Sequence, residues 1–378
     1  MTHDITRVEA FALSVPVGFE WAGSKHVRRN AMTYVEIETA SGLVGHGLTA
    51  LSPAPVVATA INRVARNALL GLDATGHEHV WNVALWALTA PGQTGIGCNA
   101  LSAIDIALWD IKGKIAEKPI WALLGGARRR LPAYATCGFS FFDRDQLAEA
   151  GQRMCAQGYD ALKMQVGRPG LDAREDAVDV HAVIDEDVRR IRCLRDAVGD
   201  GVEIAMDAGA RLDGDHAADL AARAADLGVT FFEEPVVAND VPAMAALRRR
   251  VPAMKVACGQ SEGQVWRFRD MIAANAIDIV QPNVIVAGGF TGAARAAALA
   301  VDANLPVFHG GGASYHNAHL QAGLAAGTGL EHQMSSSPAA EKVFDGLPVF
   351  ADGHLEMTDA PGLGFTLRDG VLREFAVD

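Results

Sequence analysis

The chain has 378 residues, half of them hydrophobic, enough for a large core and for two domains or one barrel with an appendage. Its formal net charge of −12 argues against a nucleic-acid surface, and no apolar run reaches membrane-spanning length. Five cysteines (Cys98, Cys137, Cys155, Cys193, Cys258) are odd in number and lack any Cys-x-x-Cys pairing, the pattern of reduced thiols in a cytoplasmic protein. The first residues show no basic-then-apolar leader.

In chain order, residues 8–15 and 32–38 read as strands, the second with Val35 and Ile37 alternating with Glu36 and Glu38. Between them, residues 17–30 read as an aromatic-bearing loop with Trp21 and His26, placed as a surface loop or a lid over a substrate. Helical patterns cover 55–70 and 77–90, so the first part is an α+β unit. Residues 100–126, ALSAIDIALWDIKGKIAEKPIWALLGG, begin as an amphipathic helix with Leu101, Ile104, Ala107, Leu108 and Ile111 at helical spacing. Gly113, Pro119 and the Gly125–Gly126 pair then punctuate the chain.

That stretch resembles the signature of the mandelate racemase/muconate-lactonising group of the enolase superfamily. The resemblance implies a modified TIM (β/α)-barrel with an N-terminal α+β capping domain, completed by the C-terminal tail. The expected divisions are 1–128 for the cap, 129–345 for the barrel with its metal site, and 346–378 for the returning segment. From 131 onward the rhythm fits: eight short apolar strands (132–137, 161–166, 203–207, 230–233, 255–258, 277–281, 306–309, 329–331) alternate with helical segments. An open doubly wound sheet has no Gly-x-Gly-x-x-Gly loop to support it. The acidic stretch 170–187 reads as a solvated surface excursion or helix extension. Strand-like pieces return at 355–357 and 365–367.

Three oxygen-bearing residues close successive predicted strands: Asp207, Glu233 and Gln260, separated by 26 and 27 residues, close to one strand-plus-helix unit of about 30. Side chains at equal heights on neighbouring barrel strands converge at the C-terminal mouth, and oxygen donors there suit Mg²⁺. Taken singly, each is an ordinary loop-end polar group; together they read as a metal site. The resemblance assigns metal binding to the same positions. Gln260 stands where the family carries a carboxylate, so weaker binding is expected, with Glu262 as an alternative third ligand.

Lys163 and Gln165 share one strand with period two and face the barrel interior. The resemblance implies that Lys163 binds and polarises a substrate carboxylate. The family's second lysine, the base for one substrate face, is replaced here by Gln165, which has no basic nitrogen. His309 matches the family's acid/base histidine, Asn283 replaces the aspartate expected to orient it, and Glu331 matches the acid beside the developing enolate. If held protonated, Glu331 would donate a hydrogen bond to that oxygen. His316 and His319 are pocket candidates. One base without a partner on the opposite face favours elimination over racemisation. The expected enzyme is an acid-sugar dehydratase, a lyase giving a 2-keto-3-deoxy acid. An epimerase, racemase or lactone cycloisomerase with Lys163 as base stays open, as does a non-catalytic metal- or ligand-binding member. The expected partner is a small-molecule carboxylate, and a homo-oligomer is expected.

Overall fold

The computed structural model describes residues 2–21, 24–89, 94–171 and 178–377, excepting the side chains of 19–26 and 89. Strands β1 (Ile5–Trp21), β2 (Ser24–Thr39) and β3 (Val44–Ala50) form an antiparallel sheet. Period two divides its side chains between two cores. Val8, Ala10, Ala12, Val35 and Ile37 pack on the cap's own helices, whereas Leu13, Val15, Met32 and Tyr34 join the core shared with the barrel. Within the stretch 17–30, expected as a loop, residues 17–21 and 24–30 instead lie on two antiparallel strands, Val17 pairing with Arg28 and Gly18 with Val27. Val27, Arg28 and Arg29 are exposed, so burial imposes no apolar alternation there. Cross-strand hydrogen bonds, invisible in local sequence, hold the ribbon.

The helix Ile96–Ile115 carries the signature, and every residue from 98 to 111 is buried. It is therefore enclosed on all sides and not amphipathic as expected, because the sheet, the barrel and the chain's tail each take a face. Its alanines admit β3 closely: a Cβ on Gly47 would lie 1.9 Å from the Ala103 carbonyl oxygen, and one on Gly45 2.1 Å from that of Ala107. Its aspartates are anchors. Asp105 accepts from the Thr291 amide (3.0 Å) and hydroxyl (2.7 Å) on a barrel helix and lies 3.0 Å from His77 Nε2. Asp110 accepts from the amides of His46 (3.0 Å) and Leu363 (2.8 Å) and from Lys114 Nζ (2.7 Å).

Among the described residues, eight parallel strands form the barrel: β4 (Arg130–Gly138), β5 (Ala161–Gln165), β6 (Glu203–Asp207), β7 (Val229–Glu233), β8 (Lys255–Cys258), β9 (Ile279–Val280), β10 (Val307–Phe308) and β11 (Gly327–Gln333). The β11–β4 pairing, Leu330 against Ala133, closes it. Alternation sends Ala205, Phe231, Ala257 and Ile279 into a small interior cluster, the floor beneath the mouth. One strand step further on are Asp207 and Glu233, directly paired in register.

Asp187, expected on a solvated acidic stretch, is buried on the helix Val180–Val198, where its carboxylate accepts from the Gly167 amide and pairs with Arg190. Residues 172–177 of that stretch lie outside the described residues. After the barrel, Phe350–Ala351 and His354–Glu356 form a hairpin against β4, and Ala376–Val377 adds a strand to β1. Among the described residues, no helix is long and apolar enough to cross a membrane.

Candidate active site

A cavity of about 720 Å³ opens at the C-terminal mouth, bounded on the cap side by β2 residues 28–32 and by residues 50–53 before the helix Ala54–Ala60. Gln165, Asp207, Gln260, His316 and Glu331 line it. Lys163, Glu233, Asn283 and His309 lie behind this wall and are buried. The side chains of Trp21 and His26 lie outside the described residues.

Lys163 is the electrostatic centre. Its ammonium donates to Glu233 Oε2 (2.6 Å), stands 3.1 Å from Glu331 Oε1 and lies over the Tyr134 ring at 5.5 Å. Burial raises the Glu233 carboxyl, and the neighbouring charges of Asp207 and Glu331 add to the rise against the pull of Lys163. Burial pushes Glu331 the same way, but the Lys163 ammonium and hydrogen bonds from Thr136 and the Gly312 amide outweigh it and hold that carboxyl low. Glu331 is therefore an ionised acceptor, so the condition under which it would donate, being held protonated, is not met. Thr136 and the Gly312 amide give the reason: both bring hydrogens to its oxygens.

The metal-ligand expectation can be tested on the donor set. Glu233 Oε2 also accepts from Gln281 Nε2 (2.8 Å), whereas its Oε1 is buried without a hydrogen-bond partner. Such an orphaned carboxylate oxygen beside another acid is costly unless a cation meets it. Gln260 Nε2 donates to Glu234 Oε2 (2.9 Å), which fixes the amide so that Oε1 faces Gly311. Asp207, Glu233 and Gln260 thus supply two carboxylates and an oriented amide oxygen, a set that fits a hard divalent cation. Among the described residues no three His, Cys, Asp or Glu side chains form such a group. Glu262 is not that donor: its carboxylate is held by Arg267 Nε (2.8 Å) and Asn239 Nδ2 (2.9 Å), off the cavity wall.

His309 lies under the loop that follows β10. Its Nε2 is 2.7 Å from the Gly312 carbonyl and its Nδ1 accepts from the Glu331 amide at 3.3 Å. Burial drops its pKa to about 4, so the ring is neutral. Asn283 does not orient it. Asn283 Oδ1 accepts from Asn317 Nδ2 (2.9 Å) and its Nδ2 donates to the Gly311 carbonyl (3.4 Å), because backbone groups have taken both ring nitrogens of His309. His316 stands on the cavity wall at the start of the helix Ser314–Gly323, edge-on to Phe344 and Phe365. His319 is instead a strut, with Nδ1 accepting from the Trp121 amide and Nε2 donating to the Leu363 carbonyl.

Sequence reasoning missed Gln281, Tyr134, Glu234 and two buried or half-buried arginines, Arg168 and Arg211. Arg168 follows β5 by three residues and Arg211 follows β6 by four, so strand-end position was the available signal. Gln281 and Tyr134 give none, because each acts only through its barrel neighbours.

Residues 8–125 match the family of mandelate racemase/muconate lactonizing enzyme N-terminal domains, and residues 146–371 match the enolase C-terminal domain-like family. The chain is 31% identical to arabinonate dehydratase of Saccharolobus solfataricus, covering 90% of this chain and 89% of that protein. It is 32% identical to D-galactarolactone cycloisomerase of Agrobacterium fabrum, covering 94% of each. A racemase from Streptomyces coelicolor solved with bound magnesium superposes with a TM-score of 0.86 at 28% identity, over 99% of this chain and all of that one. With both domain families matched over residues 8–125 and 146–371 and the same barrel beneath, the chain belongs to the mandelate racemase/muconate-lactonising group of the enolase superfamily.

Proposed function

We propose that this protein is a Mg²⁺-dependent lyase that removes the proton α to the carboxylate of a sugar acid and expels the β-hydroxyl, yielding a 2-keto-3-deoxy acid. The observation that carries the reading is the oxygen cluster at the mouth, with the orphaned Glu233 Oε1 beside Asp207 and the oriented Gln260 amide. Asp207, Glu233 and Gln260 would hold the cation, which when bound would supply the positive charge that makes the α-carbon acidic. Lys163 adds a second positive charge behind them, and Glu331 keeps that ammonium in place.

His309 carries the proton. The Gly312 carbonyl and the Glu331 amide must both leave the ring, so that its one hydrogen passes to Nδ1 and a lone pair is presented at Nε2. The α-carbon–hydrogen bond breaks toward that nitrogen, and its electrons pass into the carboxylate. The returning pair forms the carbon–carbon double bond as the β-carbon–oxygen bond breaks, with the same proton leaving on the departing water. The resulting enol becomes the ketone. Gly311 and Gly312 lie at φ of +91° and +77°, a region glycine occupies at low cost, so the loop can rearrange without a Cβ in the way. Cycloisomerisation of a lactone is the second reading, supported by the 32% identical relative.

The test is incubation of the Mg²⁺-loaded protein with sugar acids and their lactones in D₂O, read by mass. Loss of water with a keto-acid product is expected. Mass-neutral rearrangement of a lactone would replace elimination with cycloisomerisation, and deuterium gain alone would mean epimerisation.

A further inference from the structure

Asp207, Glu234 and Glu331 are carboxylates of the cavity wall. Arg168 stands 3.6 Å from Asp207 and Lys163 stands 3.1 Å from Glu331, whereas Glu234 has no ion-pair partner among the described residues. Glu234 is only 3% exposed, and neutral donors surround its carboxylate. Asn239 Nδ2 meets Oε1 at 2.9 Å, while Gln260 Nε2 (2.9 Å) and the Ser261 hydroxyl (3.3 Å) meet Oε2. Three donors and no acceptor are the surroundings of an ionised carboxylate. The Asn239 amide nitrogen gives its other hydrogen to Glu262 Oε1 (2.9 Å), and Arg267 grips Glu262 through Nε (2.8 Å) and Nη2 (3.2 Å). Arg267 thus neutralises Glu262, and the unbalanced charge is left on Glu234.

A buried carboxylate among neutral donors is costly unless positive charge lies near it. The candidate cation site is one amide away, since the side chain whose Nε2 meets Glu234 turns its Oε1 toward Gly311. The backbone bends to make this placement. Glu234, Ala238 and Asn239 lie at φ of +42°, +57° and +48°, a region sparsely populated by residues with a Cβ. A carboxylate that accepts from an amide nitrogen pushes electron density through the amide toward its oxygen, because hydrogen-bonded groups in a protein interior polarise one another.

We infer that Glu234 is a positioning residue for the metal site, supplying through the Gln260 amide the negative charge that Gln260 lacks as a ligand. The two side chains then act toward Mg²⁺ as one extended anion. The inference rests on the proposed Mg²⁺ site and names what supplies its third negative charge.

Mg²⁺ is titrated calorimetrically into the metal-free protein for the wild type, Glu234→Gln, Gln260→Glu and the double variant. Glu234→Gln leaves an oxygen to accept from Gln260 Nε2 and removes the charge. It should weaken Mg²⁺ binding by about tenfold or more, the usual effect of losing a group that orients and polarises a ligand. In the Gln260→Glu background the ligand carries its own charge, and the amide placed at 234 can donate to it, so Glu234→Gln should cost nothing there. A structural role, or direct ligation by Glu234, would weaken binding by the same factor in both backgrounds and overturns the inference. Equal affinity of Glu234→Gln and the wild type overturns it too. So does loss of cooperative melting in the metal-free Glu234→Gln protein, which would make the carboxylate a support of the fold. A wild type that takes up no Mg²⁺ removes the metal-site reading and the inference with it, whereas Mg²⁺ binding indifferent to Glu234→Gln removes the role of Glu234 alone. The titration uses no substrate, so its result is independent of which reaction the loaded enzyme performs.

Discussion

At the scale of single residues, charge decides the site. In the proposed metal site Gln260 would contribute an oxygen without a charge, so Gln260→Glu should tighten Mg²⁺ binding by about tenfold in a titration, the order expected when a carboxylate replaces a neutral ligand. Unchanged affinity would place the third ligand elsewhere than Gln260. His309→Asn should lower turnover by at least about a hundredfold, the usual contribution of a positioned acid/base, while Mg²⁺ affinity holds. Turnover surviving in that variant would remove His309 from the mechanism. The positions of Asp207, Glu233, Gln260 and Lys163 were legible because barrel register brings strand ends together and period two sets their faces. The surroundings of His309 were not. In sequence, His-Gly-Gly-Gly reads as an open mouth. Only the fold shows the third glycine's carbonyl turned back onto the ring, with Asn283 drawn to Asn317. The ionisation of Glu331 was hidden for the same reason, since Thr136, the Gly312 amide and Lys163 come from three different strands or loops.

At the scale of elements, the signature helix is the central joint. Ala103 and Ala107 leave room for β3, and Gly45 and Gly47 use it. Gly47→Ala would force a Cβ to 1.9 Å from the Ala103 carbonyl oxygen, so the strand or the helix must shift. A loss of about 2–3 kcal/mol is expected, the upper part of the range for an overpacked core, read as a lower denaturant midpoint. An unchanged midpoint would mean that β3 yields without cost. The motif itself was plain in the sequence, but its burial on every face was not, because periodicity reports one apolar stripe and polar anchors such as Asp105 and Asp110 blur the rest. The pairing of 17–21 with 24–28 is hidden for a related reason: it rests on cross-strand hydrogen bonds, and the exposed Val27, Arg28 and Arg29 show no apolar alternation.

At the scale of the whole molecule, ionisation and stability are linked. Burial lowers the pKa of His309, His319 and His332 to about 4 and of His316 to about 3. For each, the folded state binds its proton less readily than the unfolded chain, so stability is complete above the ordinary value of 6.5 and declines as pH falls toward the folded value. Each ring should cost about 1.4 kcal/mol per pH unit below 6.5, and acid unfolding should begin while surface carboxylates are still ionised. A melting temperature flat from pH 7 to about pH 5 would contradict this. Asp187 acts in the opposite sense. Burial raises it from 3.8 to about 6 against the pull of Arg190 and the Gly167 amide, so its contribution is greatest at acid pH and fades as pH rises through that window. Asp187→Asn should therefore steepen the acid decline, seen by comparing melting curves at pH 4.5 and 7; parallel curves would remove Asp187 from the balance.

The route of the tail has a consequence for how the chain is made. Leu363 reaches Asp110 across 253 residues, and the last strand, Ala376–Val377, completes the edge of a sheet begun at Ile5. A ribosome releases the amino-terminal sheet long before these partners exist. A cap sheet formed early therefore keeps the edge of β1 open where Ala376–Val377 later pairs, and an open strand edge is a template for pairing with other chains until that strand arrives.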